Sequence, residues 1–288
     1  MDIRDALFDT VYELAAADDR LIFITADADA FSLHKFKEDF PDRFINIGVA
    51  EQALIDVAAG IALTGKKVFV YAITPFITMR VFEHIKATIC AMNLPVVIIG
   101  LGVGLSFGND GPTHHATQDI SIMRALPELS IYNPFDAFTA KESIIEAYEE
   151  GAPSYIRLDK GEYPNKEYEY KSGVAVRRVF TADRLIISTG TIVHTILEVD
   201  SYSDVWSIVK LKPLCIREPF GYKEVFVIEE HSKTGGLGSA LKERFPSLEF
   251  RHYCLPDEQI FKYGSREYLL ELFGLGKKSL SKILGEKI

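Results

Sequence analysis

Only three of the 288 residues are cysteines, Cys90, Cys215 and Cys254. They are odd in number, far apart and form no C-x-x-C, which argues against a disulfide framework or a zinc site and fits a reducing cytoplasm. Positive charge is also short: 32 Lys and Arg face 41 Asp and Glu, for a formal net charge of −9. That balance excludes a general nucleic-acid groove and an anionic membrane surface as partners. No apolar run approaches the roughly 20 residues of a membrane span, and PVVIIGLGVGL is too short and too rich in glycine. The N-terminus mixes acids with apolar residues in MDIRDALFDTVYELAAADDR, the pattern of an amphipathic helix and not of a signal or transit peptide. Neither a G-x-x-x-x-G-K-[ST] phosphate loop nor a G-x-S-x-G nucleophile elbow occurs. Gly100, Gly102 and Gly104 invite a dinucleotide reading, but Leu105 stands where the third glycine of G-x-G-x-x-G would have to be.

What is present is an alternation of short β-branched runs with helical stretches. LIFITAD, KVFVYAI, PVVIIGL, LSIYNP and SYIRLD read as strands, mostly without polar alternation and so buried on both faces. AEQALIDVAAGIAL, FEHIKATICAM, QDISIMRALP and AFTAKESIIEAYEE read as helices between them, with Asp136 placed to cap the last. Such alternation predicts an α/β fold with a mostly parallel sheet. DKGEYPNKEYEYKSG is polar and turn-rich and is expected to be a linker. Beyond it the alternation resumes in RLIISTG, IVHTILEV, VWSIVK, EVFVIEEH, GGLGSALKERF and EFRHYCL, predicting a second, smaller α/β domain. The expected boundaries are a first domain at 1–160, a linker at 161–178 and a second domain at 179–288.

Several polar residues stand where ligands bind in such folds. Glu51 sits between the short strand FINIG and an apolar helix, where it serves either as a dipole-favoured surface charge or as a buried acid. NDGPTHH concentrates Asp110, His114 and His115 in a loop at the carboxyl edge of the sheet. Adjacent histidines point apart and no third ligand is nearby, so no metal site is expected here. Arg157, inside SYIRLD, needs a carboxylate, phosphate or carbonyl partner. Phe76 and Phe82 fit a core as readily as a ligand platform.

Taken in order, RDALFDTVYELAAADDRLIFITAD, FPDRFINIGVAEQALIDVAAGIAL, TPFITMRVFEHIKATICAMNLPVVIIG, GNDGPTHHATQDISIMRALPELSIYNPFD and VFVIEEHSKTGGLGSAL resemble the second half of transketolase and related thiamine-diphosphate enzymes. The resemblance covers nearly the whole chain. It implies a pyrimidine-binding domain followed by the smaller transketolase C-terminal domain. The G-D-G motif and later asparagine that hold the diphosphate and its magnesium in that family are missing. The chain therefore looks like one subunit of a split transketolase, active only with an N-terminal, diphosphate-binding partner that carries the magnesium ligands, with two copies of each chain.

By the same resemblance, Glu51 hydrogen-bonds the aminopyrimidine of thiamine diphosphate and must hold its proton to do so. Burial would favour that protonated form, and it is expected only when a second chain is bound. Phe76, with Phe82 as a second candidate, would stack on the pyrimidine. His114 would face the substrate, Asp110 would read a substrate hydroxyl and Arg157 would contact its phosphate. Gly102 and Val103 depart from the His-Asp pair of ordinary transketolases, and Asn109 and His115 also differ, which points to an unusual sugar. The implied reaction is transfer of a two-carbon ketol unit from a ketose to an aldose. The alternatives are a decarboxylating synthase resembling deoxyxylulose-phosphate synthase, the β subunit of a 2-oxoacid dehydrogenase first component, and an inactive interaction subunit.

Overall fold

The computed structural model describes residues 1–164, 167–179 and 182–285; residues 165–166, 180–181 and 286–288 lie outside them, the first pair within the expected linker and the second within the expected second domain. The chain opens with α1 (Ile3–Ala17), β1 (Leu21–Thr25), α2 (Leu33–Asp39), β2 (Phe44–Asn46), α3 (Glu51–Ala62) and β3 (Lys67–Ile73). It continues through α4 (Thr74–Thr78), α5 (Phe82–His84), β4 (Val96–Leu101), α6 (Asp119–Arg124), β5 (Ser130–Tyr132), α7 (Ala137–Glu150) and β6 (Ser154–Leu158). There follow β7 (Glu169–Lys171), β8 (Val174–Arg177), β9 (Arg184–Thr189), α8 (Ile192–Val199), β10 (Asp204–Ile208) and β11 (Lys210–Lys212). The remainder is β12 (Glu224–Ser232), α9 (Leu237–Arg244), β13 (Arg251–Leu255), α10 (Arg266–Leu272) and α11 (Lys277–Gly285).

Two mostly parallel sheets flanked by helices result, ordered β11-β5-β6-β4-β3-β1-β2 and β13-β12-β9-β10-β8-β7. The non-alternating runs behave as expected: every residue of LIFIT and VVIIGL is buried, because helices cover both faces of the sheet. One apolar cluster includes Leu54, Ile55, Ile77 and Ile98, and the other includes Phe8, Phe23, Tyr71 and Ile144. Asp136 caps α7 through a capping box with Thr139. No helix among the described residues is long and apolar enough to cross a membrane.

Three segments differ from the sequence expectation. Part of the expected linker is a hairpin, β7 and β8, that extends the second sheet against β10. Ser172 and Gly173 form its two-residue turn, both with positive φ (51° and 77°), as a type I′ turn requires. VWSIVK is not one strand: the backbone N–H groups of Val209 and Lys210 both donate to the Gly173 carbonyl, and the chain then leaves the second sheet. Lys210–Lys212 joins the first sheet as its antiparallel edge, beside β5. FEHIKATICAM is helical only to Cys90, and winds as a π-helix from Ile85 to Cys90.

Buried charges bind the two sheets together. Arg157 on β6 is 2% exposed; its Nε donates to Asp119 Oδ2 at 2.7 Å, and one terminal nitrogen donates to the carbonyls of Ala116 and Glu230, each at 3.1 Å. Tyr155 Oη donates to the same Asp119 oxygen at 2.8 Å. Arg266 at the start of α10 reaches Asp159 Oδ2 and Glu230 Oε2, both at 2.6 Å. Burial pushes the Asp159 carboxyl up, but the Arg266 charge and the bonds from Thr191 and Lys160 win and hold it below its usual range. Glu229, fully buried on β12, accepts the Leu237 and Gly238 N–H groups that open α9, at 2.7 and 2.9 Å, and His252 Nε2 lies 2.8 Å away. Burial alone would lower the His252 pKa; hydrogen bonds with Cys254 and Glu229 outweigh it and raise the value to about 9.

Arg157→Met leaves Asp119 buried without its cation and is expected to cost about 3–5 kcal/mol in urea unfolding. His252 has a folded pKa above its ordinary 6.5, so its contribution is complete below pH 6.5 and lost as pH rises through 9. Urea midpoints measured from pH 6 to 10 should fall across that window in the wild type. In His252→Gln this alkaline loss should disappear.

Candidate active site

The carboxyl ends of β2, β3 and β4 lie on one edge of the first sheet, since β4, β3, β1 and β2 are parallel neighbours in that order. The chain runs from β1 outward to β2 and returns on the other side of β1 as β3. The strand order therefore reverses between β1 and β3, and open α/β sheets bind ligands at such a point. Glu51 follows β2, Phe76 follows β3, and the loop bearing Asp110 and His114 follows β4.

Glu51 is the first residue of α3 and is 4% exposed. Ala50 supplies no side-chain cap, so the helix opens with unpaired N–H groups and the dipole favours an acid there. The Glu51 carboxylate accepts one hydrogen bond, from Arg80, to Oε2 at 2.8 Å. The guanidinium of Arg80 also lies over the Phe76 ring, 4.3 Å from its centroid. His114 meets Phe76 edge-on, with ring centroids 5.1 Å apart, and Phe107 at 6.1 Å. An acid, an aromatic face and an imidazole thus converge from three separate loops. Burial of Glu51 does not await a second chain, contrary to the expectation, because Arg80 provides its partner within the chain.

The β4 loop owes its shape to neighbours that fill the space beside its glycines. Gly102 has φ 83°, and a Cβ there would run into the Phe107 ring. A histidine at that position, as in ordinary transketolases, has no room. At Gly104 a Cβ would meet the Glu230 side chain, whose Oε1 accepts the Leu105 N–H at 2.7 Å. Asp110 is exposed at the loop tip. His115 is buried, and burial lowers its pKa, so it is neutral.

Two expected site residues are elsewhere. Arg157 is buried, and its Nε and one terminal nitrogen are engaged within the fold by Asp119 and two carbonyls, not held out toward a substrate phosphate. Phe82 is half-buried and packs against the core around α3, while Phe76 shares Arg80 with Glu51. Arg80, Phe107 and Glu230 are the residues that sequence reasoning missed. Only Arg80 left a signal: it lies four residues after Phe76, the spacing that brings side chains together on one helix turn.

The transketolase pyrimidine-binding domain profile matches residues 1–166. One of the subunits of an apulose-4-phosphate transketolase from Phocaeicola vulgatus is 29% identical, over 97% of this chain and 95% of that protein. A putative transketolase C-terminal section of Methanocaldococcus jannaschii is 30% identical, over 99% and 96% respectively. A solved split-gene transketolase, described as an inactive β4 tetramer, superposes with a TM-score of 0.84 at 28% identity, covering 99% of this chain and 98% of that one. With more than half of its length matched by the domain profile and full-length likeness to split subunits, the chain belongs to the transketolase family, whose members depend on thiamine diphosphate.

Proposed function

We propose that the chain is the C-terminal subunit of a split transketolase that moves a two-carbon ketol unit from a ketose donor to an aldose acceptor. One observation carries this reading: a buried carboxyl, Glu51, shares the Arg80 guanidinium with the Phe76 ring, which His114 meets edge-on, at the carboxyl edge of the sheet in a chain without a diphosphate-binding motif. The residues present suit an aminopyrimidine, with an acid for its ring nitrogen and an aromatic face for its plane. Thiamine diphosphate, when bound, supplies a carbon nucleophile for carbonyl addition. Glu51 holds a proton against the ring nitrogen, Phe76 stacks on the ring, and His114 donates to the oxygen that gains charge as a carbonyl is attacked. Asp110, at the exposed loop tip, reads a sugar hydroxyl.

The diphosphate and magnesium would be held by a partner chain, with two copies of each. Val49 and Met79, close in the chain to Glu51 and Arg80, and Val57 on α3 lie exposed, apolar surface that a partner would cover. The solved relative's description as an inactive tetramer of one subunit type agrees with a chain that is inert alone. In this reading residues 1–160 carry the pyrimidine half, and the second sheet, from its hairpin at 169 onward, supports it. Phe107 closes the position where other transketolases present a histidine, so the donor pocket differs at that end.

Mixed with a partner bearing the G-D-G motif, the chain should assemble and transfer ketol units. Glu51→Gln should lower turnover by roughly 100-fold or more while leaving assembly intact. Full turnover in that variant would refute the assignment of Glu51. Feeding pyruvate with an aldehyde should release no carbon dioxide; release would favour a decarboxylating synthase instead.

A further inference from the structure

We propose that Arg80 is a resident occupant of the pyrimidine subsite, holding it closed in the lone chain and leaving it when the cofactor ring enters. The inference rests on the reading of Glu51 and Phe76 given above and adds a residue which that reading does not use.

Arg80 makes, with one planar group, both contacts that the reading assigns to an aminopyrimidine. A terminal N–H donates to Glu51 Oε2 at 2.8 Å, and the guanidinium carbon lies 4.3 Å from the centroid of Phe76. A guanidinium is flat and delocalised, as an aminopyrimidine is, but it donates to Glu51 where the ring nitrogen would accept. One cannot stack on Phe76 and reach Glu51 while the other does. The Glu51 carboxylate has no other hydrogen bond among the described residues, so the Arg80 pair is what offsets its burial in the lone chain.

The latch is built to open. Arg80 is 45% exposed, holds Glu51 through one nitrogen and makes no other side-chain hydrogen bond among the described residues. A singly bonded, half-solvated pair with one cation–π contact is a weak competitor. Its departure frees both the Glu51 carboxyl and the Phe76 face at once, because the same guanidinium holds both. Met79 and Arg80 follow α4 directly, at the exposed surface, so the arginine can swing outward without unpacking the core.

The test is equilibrium binding of thiamine diphosphate with magnesium to the assembled two-subunit complex, by calorimetry, for wild type and Arg80→Met. Removing the competitor should tighten binding by roughly threefold to tenfold, the range of a weak ion pair and a cation–π contact. Equal or weaker binding in Arg80→Met would overturn the role of Arg80 while leaving the function intact. Absence of binding by the wild-type complex would instead remove the functional reading and this inference with it. Arg80→Lys keeps a cation beside the buried Glu51 but loses the planar stack. It should bind between wild type and Arg80→Met, and it carries the comparison if the latter fails to fold.

Discussion

Glu230 is the side chain on which the geometry of the site rests. It is buried on β12, takes Arg266 on one side and the Leu105 N–H on the other, and so ties the second sheet to the loop that follows β4. A long loop of small and polar residues would otherwise lose much conformational entropy to hold one shape. Here its shape is a cast of the neighbouring unit. Gly104 gives room to Glu230, Gly108 to the Gly264 carbonyl and Leu269, and Gly111 to Tyr263. Gly104 belongs to the run that invites a dinucleotide reading, yet it serves close packing against β12, as Gly108 and Gly111 serve packing against α10 and the segment before it. The second sheet thus does more than fill out the chain, because it sets where His114 meets Phe76.

Much of the fold was legible in the residues, for a physical reason. Continuous apolar runs such as VVIIGL can be satisfied only by a sheet covered on both faces, and the helices between them supply the covering. What was not legible depended on partners distant in sequence. In the hairpin at 169–177 the edge strand β7 is polar and short, while β8, VAVR, is half buried between β7 and β10, so the segment read as a turn-rich linker. VWSIVK has uniform strand propensity, and nothing local says that Val209 is where the chain changes sheets. The last helix, α11, buries Leu280 and Leu284, four residues apart.

Arg157 shows how far residue chemistry reaches. An arginine in an apolar strand had to find a carboxylate, phosphate or carbonyl, and it found a carboxylate and two carbonyls. Which acid it would meet could not be read, because Asp119 lies across the fold at the start of α6. Glu51 is the converse case. Its place at a strand–helix junction was plain in the sequence, while its nearness to Phe76 was implied only by the family resemblance. The guanidinium lying between them was not.

The proposed division of the active site between two chains poses a problem that a single-chain enzyme does not have. In that proposal each half must fold and persist before the other arrives, while exposing the groups that the assembled site needs. A buried carboxylate without a partner would be destabilising, and an uncovered aromatic beside apolar Val49 and Met79 would invite association with the wrong surface. One flexible cation answers both demands: it neutralises the acid and covers the ring. Because that cation is anchored by a single hydrogen bond and is nearly half solvated, the lone subunit is protected by the contact that the ligand can most easily displace.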